Sequence, residues 1–190
     1  LTSEQAYALA AGDNDARIEA LSKALPEADA KFAAYLQALL NDAVKFDDKR
    51  VYVMGESDYV APVTGATLTP PDTAEDVTNN NRMRGELEAA LASLKLVSSD
   101  AAERAAAIDT LAQQSLGESH LPMIDKALAL ESAAPQKERL ERMRAGILIT
   151  SEDKAKRLAA AKALGDSAQP SVRSLLQERL APGAEADPQV

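Results

Sequence analysis

Six consecutive residues, Asn79-Asn80-Asn81-Arg82-Met83-Arg84, form the polar tract with the most distinctive chemistry in this chain. Asparagine oxygens accept hydrogen bonds from the free backbone amides at a helix start, so the asparagines read first as caps. Two arginines in the opening turn of a helix oppose the positive end of its dipole. That small penalty is expected to be recovered by pairing with the acids in residues 72–76, or by contact with a binding partner. Just upstream, Tyr52 and Tyr59 are half of the four tyrosines in the chain and sit in a β-branched stretch. Tyr52, Tyr59, Asn80, Asn81, Arg82 and Arg84 are therefore the candidate contact residues.

Other reactive groups lead less far. His120 is the only histidine, and in Ser119-His120-Leu121-Pro122 it reads as a surface or capping residue at a helix start. Asp13-Asn14-Asp15 has the opening of a calcium loop, but Ile18 stands where the loop needs glycine and the distal acidic ligand is missing. A helix cap explains it better. Pairs of carboxylates can be drawn almost at will from 30 acidic residues, and none is set apart by its surroundings. No phosphate loop, dinucleotide fingerprint, nucleophile elbow or HExxH pattern occurs. No catalytic residue, metal ligand or cofactor is expected, and the chain reads as a non-enzyme.

The elements that must carry these residues announce themselves by repetition. Residues 84–111 are restated 53 residues later in residues 137–164: Leu87 matches Leu140, Glu88 Glu141, Ser98 Ser151, Asp100 Asp153, Arg104 Arg157 and Leu111 Leu164. A constant offset of this length signals stacked helical units, each leaving an apolar face for its neighbour to cover. Helix starts and apolar stripes give about eight helices. The first is capped by Asp13 or Asp15 and ended by Pro26. The second carries Phe32, Tyr35, Leu36, Leu39 and Leu40, and the third spans residues 82–97. The fourth follows Ser98-Ser99-Asp100, the fifth is Leu121–Leu130, the sixth spans residues 136–149 behind Pro135, the seventh ends near Gly165, and the eighth follows Pro170.

The fold class expected is all-α: a HEAT/armadillo-like helical repeat stack with three-helix units of about 53 residues, forming a single domain over residues 1–190. Aligning Asp13 and Arg17 on Asp100 and Arg104 leaves an excess of 34 residues over one period, which places an insertion in the first repeat at residues 45–79. There Lys49-Arg50-Val51-Tyr52-Val53-Met54 and Tyr59-Val60-Ala61-Pro62-Val63 predict a small β-hairpin, with residues 64–68 as a possible third strand and residues 70–76 as an irregular acidic return. Two strands alone are marginal in water, so the hairpin is expected to lean on the helices or on another protein.

Composition agrees with a helical body built from Leu, Ile, Val and Ala. Aromatic residues make up 3% and tryptophan is absent. A net charge of −9 argues against nucleic acid or an anionic membrane as partner. With no cysteine there is no disulfide and no thiol chemistry. No stretch reaches the length and apolarity of a membrane-spanning helix. Leu1 in place of methionine predicts that an N-terminal piece has been removed, and Asp187-Pro188-Gln189-Val190 reads as the start of a further repeat.

Taken together, Asn80-Asn81-Arg82-Met83-Arg84, then Leu87, Ala90, Leu91, Leu94, Leu96, Ser98 and Asp100, the Ala16-Arg17-Ile18 opening, the strand at residues 49–53 and the repeat at residues 153–164 resemble one family. It is the N-terminal extension of the permease subunit in urea-type ABC transporters, relatives of the branched-chain amino acid permeases. The resemblance covers most of the chain. It implies a periplasmic location and a soluble piece of a membrane protein. It also implies partners in the transmembrane core of the same chain and in a urea-binding protein or a second permease subunit. It transfers no catalytic or urea-binding residue. Three roles follow as expectations: docking of a substrate-binding protein, sensing of urea or a related amide in a pocket between hairpin and helices, or a purely structural scaffold.

Overall fold

The computed structural model describes residues 1–165 together with 176, 177, 179 and 180. The chain divides into two compact units, Leu1–Gln114 and Ser115–Val190. Among the described residues it is mostly helical, with eight α-helices and one five-stranded antiparallel sheet.

In the N-terminal unit, α1 (Ser3–Ala10) opens with a capping box. The Thr2 hydroxyl accepts from the Gln5 amide at 3.2 Å, and the Gln5 side chain accepts from the Thr2 amide at 2.8 Å. This helix precedes the first one expected from the sequence. Asp13 caps α2 (Asn14–Ala24) through the Ala16 amide at 2.9 Å, as its sequence position predicts, and Pro26 lies in a 3-10 turn that ends the helix. Asp29 caps α3 (Ala30–Leu40) through the Phe32 amide at 2.7 Å.

The sheet follows, and it is larger than the small hairpin expected within the helical body. Its strands are β1 (Val44–Phe46), β2 (Val51–Met54), β3 (Tyr59–Val60), β4 (Thr67–Leu68) and β5 (Glu75–Asp76), in the order β4-β3-β2-β1-β5. The predicted hairpin is β2–β3, registered Val53 to Val60 and Met54 to Tyr59, and the third strand is β4. Two strands were not legible. β1 is three residues long, and β5 consists of two acids with little strand propensity, lying where an irregular return was expected. Pairing makes them strands: Lys45 stands opposite Asp76 in the register, and its ammonium bonds the Asp76 carboxylate at 2.9 Å.

The sheet leans on the helices. Val44, Val51 and Val77 share one buried cluster with Leu9, Leu21, Leu25, Phe32, Tyr35, Leu36 and Leu39. Each fully buried Leu or Phe contributes about 1.5–3 kcal/mol relative to exposure, far more than a free two-stranded ribbon could gather. The chain then enters α4 (Asn81–Lys95), which packs against both α3 and α5 (Ala101–Leu111).

In the C-terminal unit a 3-10 turn, Glu118–His120, leads into α6 (Leu121–Leu130). α7 (Ala134–Leu148) packs against both α6 and α8 (Lys154–Gly165). Ala145, Leu148, Ile149, Ala160 and Leu164 form its buried cluster. The helix expected after Pro170 and the start of a repeat at Asp187 lie outside the described residues, apart from the four named above.

The two helix pairs set 53 residues apart share their local wiring. α4 and α7 cover exactly corresponding residues, and Leu87 and Leu140, Leu96 and Ile149, Leu111 and Leu164 are all buried. Asp100 accepts from the Ala102 amide at 2.7 Å and Asp153 from the Ala155 amide at 2.8 Å. Arg104 donates to the Ser98 and Ser99 carbonyls, and Arg157 to those of Ser151 and Glu152.

Candidate functional site

The asparagine and arginine tract is a fastening between helix ends. Asn80 is the N-cap of α4, its side-chain oxygen accepting from the Met83 amide at 2.8 Å. Asn81 is exposed in the first turn. Arg82 pairs with Asp15 in the first turn of α2, and Arg84 makes a two-pronged pair with Asp42 while donating to the Leu40 carbonyl at 3.0 Å. The expected partners in residues 72–76 are thus replaced by Asp15 and Asp42. Asp76 is held by Lys45, and Arg84 finds its partners where α3 ends. Asp42 sits there in the left-handed region, with φ 56°. The two arginines face acids and a helix C-terminus, which offsets their poor placement at the start of α4.

Two residues outside the candidate set complete the fastening. Asn79 donates to the Leu39 carbonyl at 2.7 Å and accepts from Arg17 at 2.6 Å. Arg17, 2% exposed, also donates to the carbonyls of Leu9 at 2.7 Å and Thr78 at 2.8 Å, and to the Asn14 side chain at 3.3 Å. One guanidinium so satisfies the C-terminal end of α1 and the segment leading into α4. Burial pulls the Arg17 pKa below its usual value, and the nearby Tyr35 partly opposes this. Tyr35 is itself buried, which pushes its pKa up, and its hydroxyl donates to the Ala6 carbonyl at 2.8 Å. The recurrence of Asp13 and Arg17 at Asp100 and Arg104 carried the signal for this residue.

Tyr52 and Tyr59 take different places. Tyr52 is buried, and its hydroxyl donates to Asp47 at 2.6 Å, a bond that raises the tyrosine pKa and lowers that of the carboxyl. Asp47 also accepts from the amides of Lys49 and Arg50, both at 2.8 Å, and so fixes the β1–β2 turn. Tyr59 is half-buried in β3, away from that turn in the register. The structure therefore does not gather the six candidates into one exposed patch: Asn80, Arg82 and Arg84 belong to the α4 fastening, Asn81 is exposed beside them, and the two tyrosines lie in the sheet.

Where the sheet meets the helices, the β3–β4 turn divides two clefts. One, about 260 Å³, lies among α1, the β1–β2 turn and the β3–β4 turn, with Ser3, Tyr7, Lys49, Arg50 and Thr64 as its polar lining. The other, about 300 Å³, lies toward α3 beside Lys31, Ala34 and Tyr35. Lys31 donates to the Val63 carbonyl at 2.8 Å, and the Ala61 amide to the Ala66 carbonyl at 2.8 Å, so the dividing turn is tied down. Gly65 within it has φ +73°, a conformation that side chains disfavour.

The one histidine stands at the N-terminal end of α6, the helix start expected for it, but it is buried and not on the surface, and its side chain makes no capping bond. His120 is 3% exposed, and burial alone lowers its pKa to about 4. The lone imidazole is a core residue at the start of α6, neutral at physiological pH. Nearby, Glu118 accepts from the Ser151 hydroxyl at 2.5 Å and from Lys156 at 2.7 Å, joining the 3-10 turn to the start of α8. A groove of about 400 Å³ runs between α7 and α8, with Glu138, Glu141, Arg142 and Arg144 on its rim. Its mixed charges favour neither sign of ligand.

Among the described residues no helix is long and apolar enough to cross a membrane. No family model, curated protein or solved structure matches the chain.

Proposed function

We propose that the chain is a non-enzymatic, extracytoplasmic interaction module of a urea-type ABC transporter permease, built as a short run of HEAT-like helical repeats. One observation carries the reading: α4–α5 and α7–α8 repeat the same buried positions, aspartate caps and arginine fastenings at a constant 53-residue offset. In this reading α3–α5 and α6–α8 are successive repeats, and the sheet is inserted between the first and second helices of the earlier one. Repeats expose long helical faces whose shape and charge can be matched by another protein. The partner proposed is the cognate urea-binding protein, with a second permease subunit as the alternative. Both come from the family resemblance carried by residues 79–84 and the repeat.

Calorimetric titration of the chain with the urea-binding protein tests docking. Saturable binding is expected, weakened by charge changes on exposed helical faces. No binding, together with transport that survives deletion of the module, would refute it. The two clefts beside the β3–β4 turn favour a second reading, the sensing of a small molecule. A thermal-shift screen separates the two readings, because a ligand that binds only the folded state raises its stability.

A further inference from the structure

The cleft beside α1 has a composition that selects among small molecules. Ala6, Val51, Pro62, Val63 and Leu68 give it an apolar lining, while Lys49 and Arg50 bring two adjacent cations to the same space. Hydroxyl groups from Ser3, Tyr7 and Thr64 complete the polar part. At about 260 Å³ it lies just below the range that takes drug-sized ligands, which suits a molecule of fewer than about ten heavy atoms.

The two cations are exposed, on a turn whose backbone Asp47 fixes. Elsewhere in this unit Lys23, Lys45, Arg82 and Arg84 are each paired with a carboxylate, Lys31 is spent on the Val63 carbonyl, and Arg17 on the α1 end. Lys49 and Arg50 make no ion pair with any described residue, in a chain whose net charge is −9. Asp47 accepts from both their amides and from the Tyr52 hydroxyl, so it anchors the turn that presents them, and its carboxylate balances part of the Arg50 charge without forming an ion pair with it. Asp48 and Glu4 are exposed acids on the same two elements, and they temper the positive field without pairing with either cation. The opposite wall is the β3–β4 turn, tied by Lys31. Rigid walls lower the ordering cost of binding.

We propose that this cleft is a binding site for a small monocarboxylate with a short apolar tail, the carboxylate held by Lys49 and Arg50 and the tail laid against Val51, Val63 and Leu68. This deepens the sensing reading and is independent of docking to a partner protein. A charge-assisted pair to a guanidinium and an ammonium favours the carboxylate over the neutral amide of the same shape, and the cations repel an amine. Tail burial separates a longer acid from acetate.

The test is calorimetry and thermal shift on the whole chain with hexanoate, acetate, hexanamide and hexylamine. Hexanoate is expected to bind saturably and raise the melting temperature. Acetate and hexanamide should bind roughly tenfold more weakly or worse, and hexylamine not at all. The exposed-residue variant K49Q/R50Q should lose at least roughly tenfold in hexanoate affinity while melting as the parent does, and K23Q should bind normally. A66F, which fills the cleft from its rim, should weaken hexanoate as well. Hexanamide binding as tightly as hexanoate would overturn the proposal in favour of an amide site. So would hexanoate binding that K49Q/R50Q leaves unchanged, or no heat and no shift at about 10 mM, where even a millimolar site is filled. Failure to bind a urea-binding protein would leave these outcomes unaffected.

Discussion

Arg17 bears more of the structure than any of the residues that looked reactive in the sequence. Its guanidinium serves the carbonyls of Leu9 and Thr78 and the side chains of Asn14 and Asn79 from a buried position. Arg17→Met keeps the volume but orphans those acceptors, and is expected to cost about 3 kcal/mol in urea unfolding. Arg82→Ala removes an exposed ion pair with Asp15 and should cost less than about 1 kcal/mol. Equal losses in the two variants would contradict the fastening described above. His120 gives a pH prediction of definite sign. Its folded pKa, about 4, lies below the ordinary 6.5, so the unfolded chain binds the proton first. Its contribution is intact above pH 6.5 and is lost as the pH falls toward 4, by up to about 3 kcal/mol. Because it is the only histidine, the slope between pH 6.5 and 5 should flatten in His120→Asn, as read by urea melts at each pH.

At the level of elements, the structure repeats one device: an aspartate cap followed four residues later by an arginine that reaches back to the preceding carbonyls. Arg104→Ala and Arg157→Ala should therefore each cost about 1–2 kcal/mol, similar to one another, because they break the same bonds in corresponding helices. A loss confined to one of the two would show that the shared wiring has no shared energetic role. The β3–β4 turn depends on a different property. No atom lies within 4 Å of a Cβ added at Gly65, so Gly65→Ala meets only the conformational penalty of positive φ, about 1 kcal/mol. Thermal melts measure the penalty, and hexanoate affinity should fall with it as the wall of the cleft loosens.

Across the whole molecule, the aromatic residues are segregated. All four tyrosines and both phenylalanines lie within Leu1–Gln114, and the Ser115–Val190 unit has none. Tyrosine fluorescence thus reports on the N-terminal unit, whereas helical circular dichroism reports on both. Arg17→Met should move the fluorescence transition by its full cost, since all of its hydrogen-bond partners lie in Leu1–Gln114. An unmoved fluorescence transition would refute the fastening.

Much of the helical layout was legible because its signals are local. Asp13, Asp100 and Pro135 mark helix starts through their own backbone chemistry, and the 53-residue offset needs only the residues themselves. The Thr2 and Gln5 capping box that starts α1 is equally local. The strands β1 and β5 were not legible, since two or three residues, acidic in one case, become a strand only when a partner supplies the hydrogen bonds. Tertiary packing also settled which acids pair with Arg82 and Arg84, because Asp15 and Asp42 are remote in sequence and meet the tract only after α2 and α3 have packed. The burial of Tyr52 and His120 likewise left no local signal. Caps and periods depend on neighbours along the chain, whereas burial, charge pairing and the cleft beside Lys49 and Arg50 depend on neighbours in space.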